Sequence, residues 1–266
     1  MRSATIERQT FYLILAALST SLAGCGPAKD RALEETFEQV YPVEPTTNIT
    51  IKNEDGTVHI YGSPANEMRV EATKRAYTRE RLEQIAGNLS VHPGAVSIRT
   101  SFPPRKAWGL SDRSGTVDYT LVVPQSANIS QLDLGNGEVL IDGMHGRTVR
   151  ARLGSGRMFA HNCFSNVELR TNGGNLTLVY DWWETAKFLI EATIEKGNVR
   201  AFLPSDAALH LIAETGNGKI ASDFGDPGER ASDDVMKIDT SINAGGEATI
   251  KIHAGQGNVK IVEANP

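Results

Sequence analysis

Cysteine is nearly absent: Cys25 and Cys163 are the only two in 266 residues, so at most one internal disulfide could form and stability must come from a packed core. Basic residues are not in excess, the formal net charge being -5, which argues against a nucleic-acid partner because phosphate binding needs clustered Lys and Arg. Aromatic residues make up 6% of the chain while glycine reaches 25 residues, a balance that suits short strands and tight turns better than helices. A phosphate-binding glycine loop is lacking, since Gly154-Ser-Gly156 and Gly216-Asn-Gly218 have neither a third glycine nor a following helix. The six histidines show no metal-helix spacing, and His161-Asn162-Cys163 alone is too small a set for zinc, so no metal or cofactor is expected.

What is present begins at the N-terminus. Arg2 and Arg8 precede an uncharged, Leu-, Ile- and Ala-rich run from Phe11 to Gly24, too short for a comfortable permanent span and typical of an export signal. The run ends in Leu22-Ala23-Gly24-Cys25, which looks like the lipobox of bacterial lipoproteins and implies that Cys25 becomes the acylated mature N-terminus. Several buried acyl chains hold a protein on its bilayer. Gly26 follows instead of the aspartate that resembles an inner-membrane retention signal, so the outer membrane is favoured over the inner. Residues 1–24 are thus expected to be a signal peptide. Residues 25–47, polar and punctuated by Pro27, Pro42 and Pro45, are expected to be a flexible tether. Removing 24 of 266 residues leaves 242.

The most informative feature is a repeat. Gly56, Gly137, Gly156, Gly174, Gly197, Gly218 and Gly257 each have an apolar residue two positions later (Val58, Val139, Met158, Leu176, Val199, Ile220, Val259). Each also has one five positions earlier (Ile51, Leu132, Ala151, Leu169, Ala192, Ala213, Ile252), and seven positions earlier only Ser130 breaks the rule. Polar residues such as Lys52, Asp133, Arg152, Arg170, Thr193, Glu214 and His253 fill the column between, giving a period of two. The spacings from Gly137 to Gly218 are 19, 18, 23 and 21, followed by 39 to Gly257. About twenty residues is one coil of a β-solenoid, whose coils bury their apolar sides by stacking. Stacking would set Asp133 beside Arg152 and Arg150 beside Glu168 as ion pairs. A hairpin-built β-sandwich has the same period and remains the alternative.

Between Gly56 and Gly137 the phrase is interrupted. Residues 68–76, 96–98 and 116–123 alternate as strands, residues 78–86 are expected to be helical with Thr78 as N-cap, and 102–113 to be a loop. This part is expected to cover a solenoid end. The phrases Ile49-Thr-Ile-Lys-Asn-Glu-Asp-Gly-Thr-Val-His-Ile, Val117-Asp-Tyr-Thr-Leu-Val-Val-Pro and Gly257-Asn-Val-Lys-Ile resemble the bacterial putative-adhesin domain of the DUF4097 type over residues 48–262. That resemblance implies an all-β, β-solenoid envelope module across residues 48–266, with residues 225–234 as an inserted loop, and it brings no catalytic residues.

One segment invites a functional reading. Asp181-Trp182-Trp183-Glu184 lies in the 23-residue repeat and holds two of the three tryptophans. Flat indoles beside carboxylates suit sugar stacking or a protein contact, and a local cap packed on Phe188 and Phe159 is the competing reading. The expected function is a non-catalytic, lipid-anchored envelope module, adhesin-like or scaffolding. Its expected partners are a membrane and a glycan or envelope protein. The alternatives are a polysaccharide-active solenoid enzyme, with its carboxylates in the outward columns, and a self-assembling scaffold.

Overall fold

In the computed structural model, residues 32–103, 115–224, 229–232 and 235–264 are described. Cys25 and the signal segment lie outside the described residues, as does most of the expected loop at 102–113. The glycine repeat becomes a stack of long strands: β1 (Leu33–Pro42) precedes β2 (Asn48–Ser63), and β7 (Asn128–Asp142), β8 (Thr148–His161), β9 (Asn166–Val179) and β10 (Leu189–Pro204) follow further along. β2, β7, β8, β9 and β10 pair in parallel, with Gly56 opposite Gly137, Gly137 opposite Gly156, Gly156 opposite Gly174 and Gly174 opposite Gly197. Buried positions fall at odd offsets before each glycine (Ile49, Ile51) and at even offsets after it (Val58, Ile60), so the strand turns at the glycine and keeps both arms facing one core. Each coil therefore has two arms. All seven residues of both apolar sets are buried, none more than 5% exposed.

The single exception in the repeat has a structural cause. Ile49 lies opposite Ile129 but Thr50 lies opposite Gln131, which makes Ser130 the extra residue of a β-bulge. Ile129 takes the inward place, fully buried, and the Ser130 hydroxyl donates to the Ile49 carbonyl at 3.2 Å.

Parallel stacking of consecutive coils makes the protein an all-β solenoid and disfavours the hairpin-built sandwich. The last coils depart from sequence order. Between β10 and β11 (Leu209–Asn217) with β12 (Ile220–Ser222) sit the final strands, β15 (Ala248–Gln256) and β16 (Val259–Ala264). Ile252 lies opposite both Ala192 and Ala213, and Val259 opposite both Val199 and Ile220. The 39-residue step from Gly218 to Gly257 carries the chain round through β13 (Glu229–Ser232) and β14 (Val235–Ile242). β14 runs antiparallel to β11 on its outer side. Part of the expected insertion at 225–234 is thus strand β13, paired antiparallel with β14.

At the other end lies the interrupted part. β3 (Glu67–Ala76), α1 (Arg79–Gln84), β4 (Ala86–His92), β5 (Ala95–Ser101) and β6 (Thr116–Pro124) extend the stack beyond β2. β5 and β6 continue the two arms of β2 in parallel, while β4 and β3 close on them antiparallel. Thr78 caps α1 as expected, its hydroxyl accepting from the Arg81 amide at 3.2 Å.

Within the stretch expected to be a tether, 25–47, residues 33–42 form a strand. Leu33–Pro42 pairs along its length with β3. The strand is fastened by Lys74 to Glu35 at 2.7 Å and by Arg75, which bridges Glu34 on β1 and Asp118 on β6. Of the prolines that suggested a linker, Pro42 and Pro45 lie at the end of β1 and just beyond it, where a missing amide disrupts little, and Pro27 lies outside the described residues. Of the expected outward pairs, Arg150 meets Glu168 at 3.5 Å, but Asp133 takes Lys52, at 3.7 Å, in place of Arg152.

Candidate functional site

Where β9 ends, the 23-residue coil crosses to β10 through residues 180–188, and this crossing builds an aromatic corner. Tyr180 and Phe188, its first and last residues, are buried, as is Phe164 from the equivalent turn of the preceding coil. Trp183 packs among them, with ring centroids 5.5 Å from Tyr180, 5.5 Å from Phe188 and 6.3 Å from Phe164. Its indole N–H donates to the Ala208 carbonyl at 3.2 Å. Both parts of this indole are satisfied by the protein. Phe164, not Phe159, is the second phenylalanine of the cluster; Phe159 points outward from β8.

Trp182 behaves differently. It is 48% exposed, the most exposed large apolar side chain among the described residues, although one face lies 5.8 Å from the Phe164 ring. Its N–H donates to Glu184 Oε1 at 3.3 Å, and His145 Nε2 meets the same oxygen at 3.1 Å. Asp181 is held on the other flank: Oδ2 contacts His161 Nε2 at 2.8 Å and accepts from Asn162 Nδ2 at 3.2 Å, while the Asp181 amide donates to Asn162 Oδ1 at 2.9 Å. His161 also reaches back to Asp142 at 2.9 Å. The four residues singled out from sequence are thus one corner. They divide into an anchor, Trp183, and an exposed group, Trp182 with Asp181 and Glu184.

Sequence reasoning missed the supports: His145, Phe164 and Asn162. All three lie in turns whose residues vary from coil to coil, and only stacking brings them under the later crossing. Asn162 adopts a positive φ of 47°, a conformation Asn tolerates better than most residues.

Beneath the corner is Cys163, fully buried, with its carbonyl accepting from the Tyr180 hydroxyl at 2.9 Å. Burial pushes the thiol from its ordinary 9.0 up to about 12, and burial likewise raises the Tyr180 phenol well above its usual value. A folded-state value above the unfolded one means that the native state keeps its full advantage below about pH 9 and loses it as pH rises toward 12. Cys163 is therefore expected to resist a thiol-specific reagent in native protein and to react on unfolding, and the urea midpoint to fall between neutral and strongly alkaline pH. Rapid native-state labelling, or a midpoint that rises in alkali, would contradict this placement.

Arg170, Glu191, Thr193, Glu214, Lys251 and His253 border a shallow groove of about 250 Å³. Within it Lys251 pairs with Glu191 at 3.5 Å, and Arg170 turns to Glu168 at 2.8 Å. No cluster of three or more His, Cys, Asp or Glu placed to hold a metal occurs among the described residues. No helix among them is long and apolar enough to cross a membrane.

Among solved structures, the chain is similar to a crystal structure described as a "putative cell adhesion protein" from Clostridium sporogenes. The two share 18% identity over 86% of this chain and 100% of that one, with a TM-score of 0.51. It also aligns over 86% of its length with a "putative adhesin" from Bacteroides fragilis, at 9% identity over 97% of that chain and a TM-score of 0.28. A "putative lipid binding protein" from Parabacteroides distasonis aligns over the same share, at 13% identity over 97% of that chain and a TM-score of 0.33. The first likeness shows a shared fold, and the other two are too loose to add to it. No protein-family model matches the chain, and no curated protein does.

Proposed function

We propose that this chain is a non-catalytic binding module of the bacterial cell envelope. Acylation of Cys25 holds it on a membrane, the outer membrane in bacteria that have one, and the Trp182 corner docks a glycan or an envelope protein. The observation that carries the binding reading is the contrast between the two neighbouring indoles. Trp183 has packing and a hydrogen-bond acceptor from the protein itself, whereas Trp182 is held in place by Glu184 and Phe164 with about half its surface left to solvent. An indole kept in a fixed pose at an exposed site suits a partner better than it suits water, at roughly 25 cal/mol per Å² of apolar surface. Asp181 Oδ1 and Glu184 Oε2 remain as acceptors beside it, suited to sugar hydroxyls or backbone amides. The description of the Clostridium sporogenes protein as a cell adhesion protein agrees with such a role.

Two measurements test the reading. A palmitate analogue fed to cells is expected to label the wild-type protein and not Cys25→Ala; an unlabelled wild type contradicts the anchor. Pull-down of envelope glycans and proteins with the detergent-solubilised chain is expected to retain a partner. Retention of none contradicts the binding reading.

A further inference from the structure

The two outward faces of the solenoid differ in character. The face formed by the arms before the glycines is charged and largely self-neutralised, as in the Lys52–Asp133, Arg150–Glu168 and Lys251–Glu191 pairs. The face formed by the arms after the glycines carries Leu140, Phe159, Val179 and Phe202 pointing outward between buried neighbours, and Val262 next to buried Ile261. In register, Leu140 lies beside Phe159, Phe159 beside Thr177, and Val179 beside Phe202, which lies beside Val262. All five apolar side chains are partly exposed.

The charges on this face are unevenly paired. Glu138 is engaged with His59 at 3.2 Å and Arg157 at 2.6 Å, and Asp142 with His161 at 2.9 Å, while Asp223, at the outer edge, accepts from the Glu263 amide at 3.1 Å. Arg200 and Lys260 lie directly opposite each other on neighbouring strands, both exposed, with no ion-pair partner among the described residues. Like charges on adjacent strands, about 4.8 Å apart, repel. In a chain of net charge -5, two adjacent unmatched cations make a local site for an anion. Between these features the face is hollowed: a depression of about 200 Å³ is bordered by Arg157, Phe159, Asn175, Thr177, Asn198 and Arg200.

We propose that this face binds an acidic glycan, with a sugar ring stacked on Phe159 and its carboxylate or sulfate paired with Arg200 and Lys260. The side amides of Asn175 and Asn198, on adjacent strands, and the Thr177 hydroxyl supply the donors and acceptors that ring hydroxyls need. A guanidinium beside an aromatic ring suits a planar carboxylate on a saturated ring. An anionic bilayer would meet the same cations, but insertion calls for apolar groups that project, and here they border a hollow. The proposal rests on the binding-module reading without depending on Trp182, so the two can fail separately.

The test passes detergent-solubilised protein over immobilised polygalacturonate and heparin, with dextran as the neutral control. Retention on at least one acidic polymer, absent on dextran and weakening as salt rises, is expected for wild type. Arg200→Glu and Lys260→Glu should each reduce it at least tenfold with an unchanged melting temperature. Lys251→Glu, which changes net charge equally on the opposite face, should leave it intact. No retention on either polymer, equal losses in Lys251→Glu, or elution by short-chain phosphatidylglycerol but not by soluble polygalacturonate would overturn the proposal.

Discussion

Gly174→Val is expected to destabilise the protein by at least about 3 kcal/mol, and in cells to leave little folded chain. Gly174 has a φ of +118°, and a Cβ built there would lie 1.9 Å from the Gly156 carbonyl oxygen of the adjacent strand. Two penalties act together. Valine is strained in that backbone conformation, and the branched side chain must force apart two stacked coils. The close approach recurs along the stack, with corresponding distances of 1.7 Å at Gly137 and 1.9 Å at Gly156 and Gly197. Displacement at one level therefore disturbs the levels on both sides. Arg170→Gln, four residues away in sequence, removes an exposed pair with Glu168 and should cost no more than about 0.5 kcal/mol. Equal melting shifts for the two variants would refute the inward and outward assignment.

Trp183→Ala is expected to cost about 2 to 3 kcal/mol. The estimate is below the full cost of deleting a buried tryptophan because the side chain is only partly covered. The substitution empties the space between Tyr180, Phe188 and Phe164 and leaves the Ala208 carbonyl without its donor. Trp182→Ala removes a side chain that is half in water already and should shift the melting temperature by no more than a few degrees. A double substitution would merge these two effects, so the single variants are the informative ones.

The glycine column was legible in sequence because the restriction is local: a side chain at that point strikes the strand beside it in almost every coil. The reason is broader than a turn conformation alone. Gly218 does not share the positive φ of the other six column glycines, yet its Cβ would lie 1.8 Å from the Gly257 carbonyl. Close stacking selects glycine there. The order of the final coils was not legible, since Ala213 and Ile252 occupy equivalent positions in interchangeable units, and a repeat pattern carries no information about which unit stacks on which. β1 escaped notice because its inward positions mix Leu33 and Phe37 with Glu35, whose charge is met by Lys74 from a strand that follows only after β2. The corner was found by composition, from two adjacent tryptophans. Which of them is exposed depends on Phe164 and Ala208, residues brought alongside by the fold.

Parallel measurement of partner retention and melting temperature for Trp182→Ala and Trp183→Ala, both as full chains in detergent, tests the central claim most directly. The account predicts that Trp182→Ala keeps its stability and loses the partner held by wild type, while Trp183→Ala loses several degrees. A Trp182→Ala protein that melts several degrees lower and still retains every wild-type partner would contradict it, and would make the whole corner a structural cap.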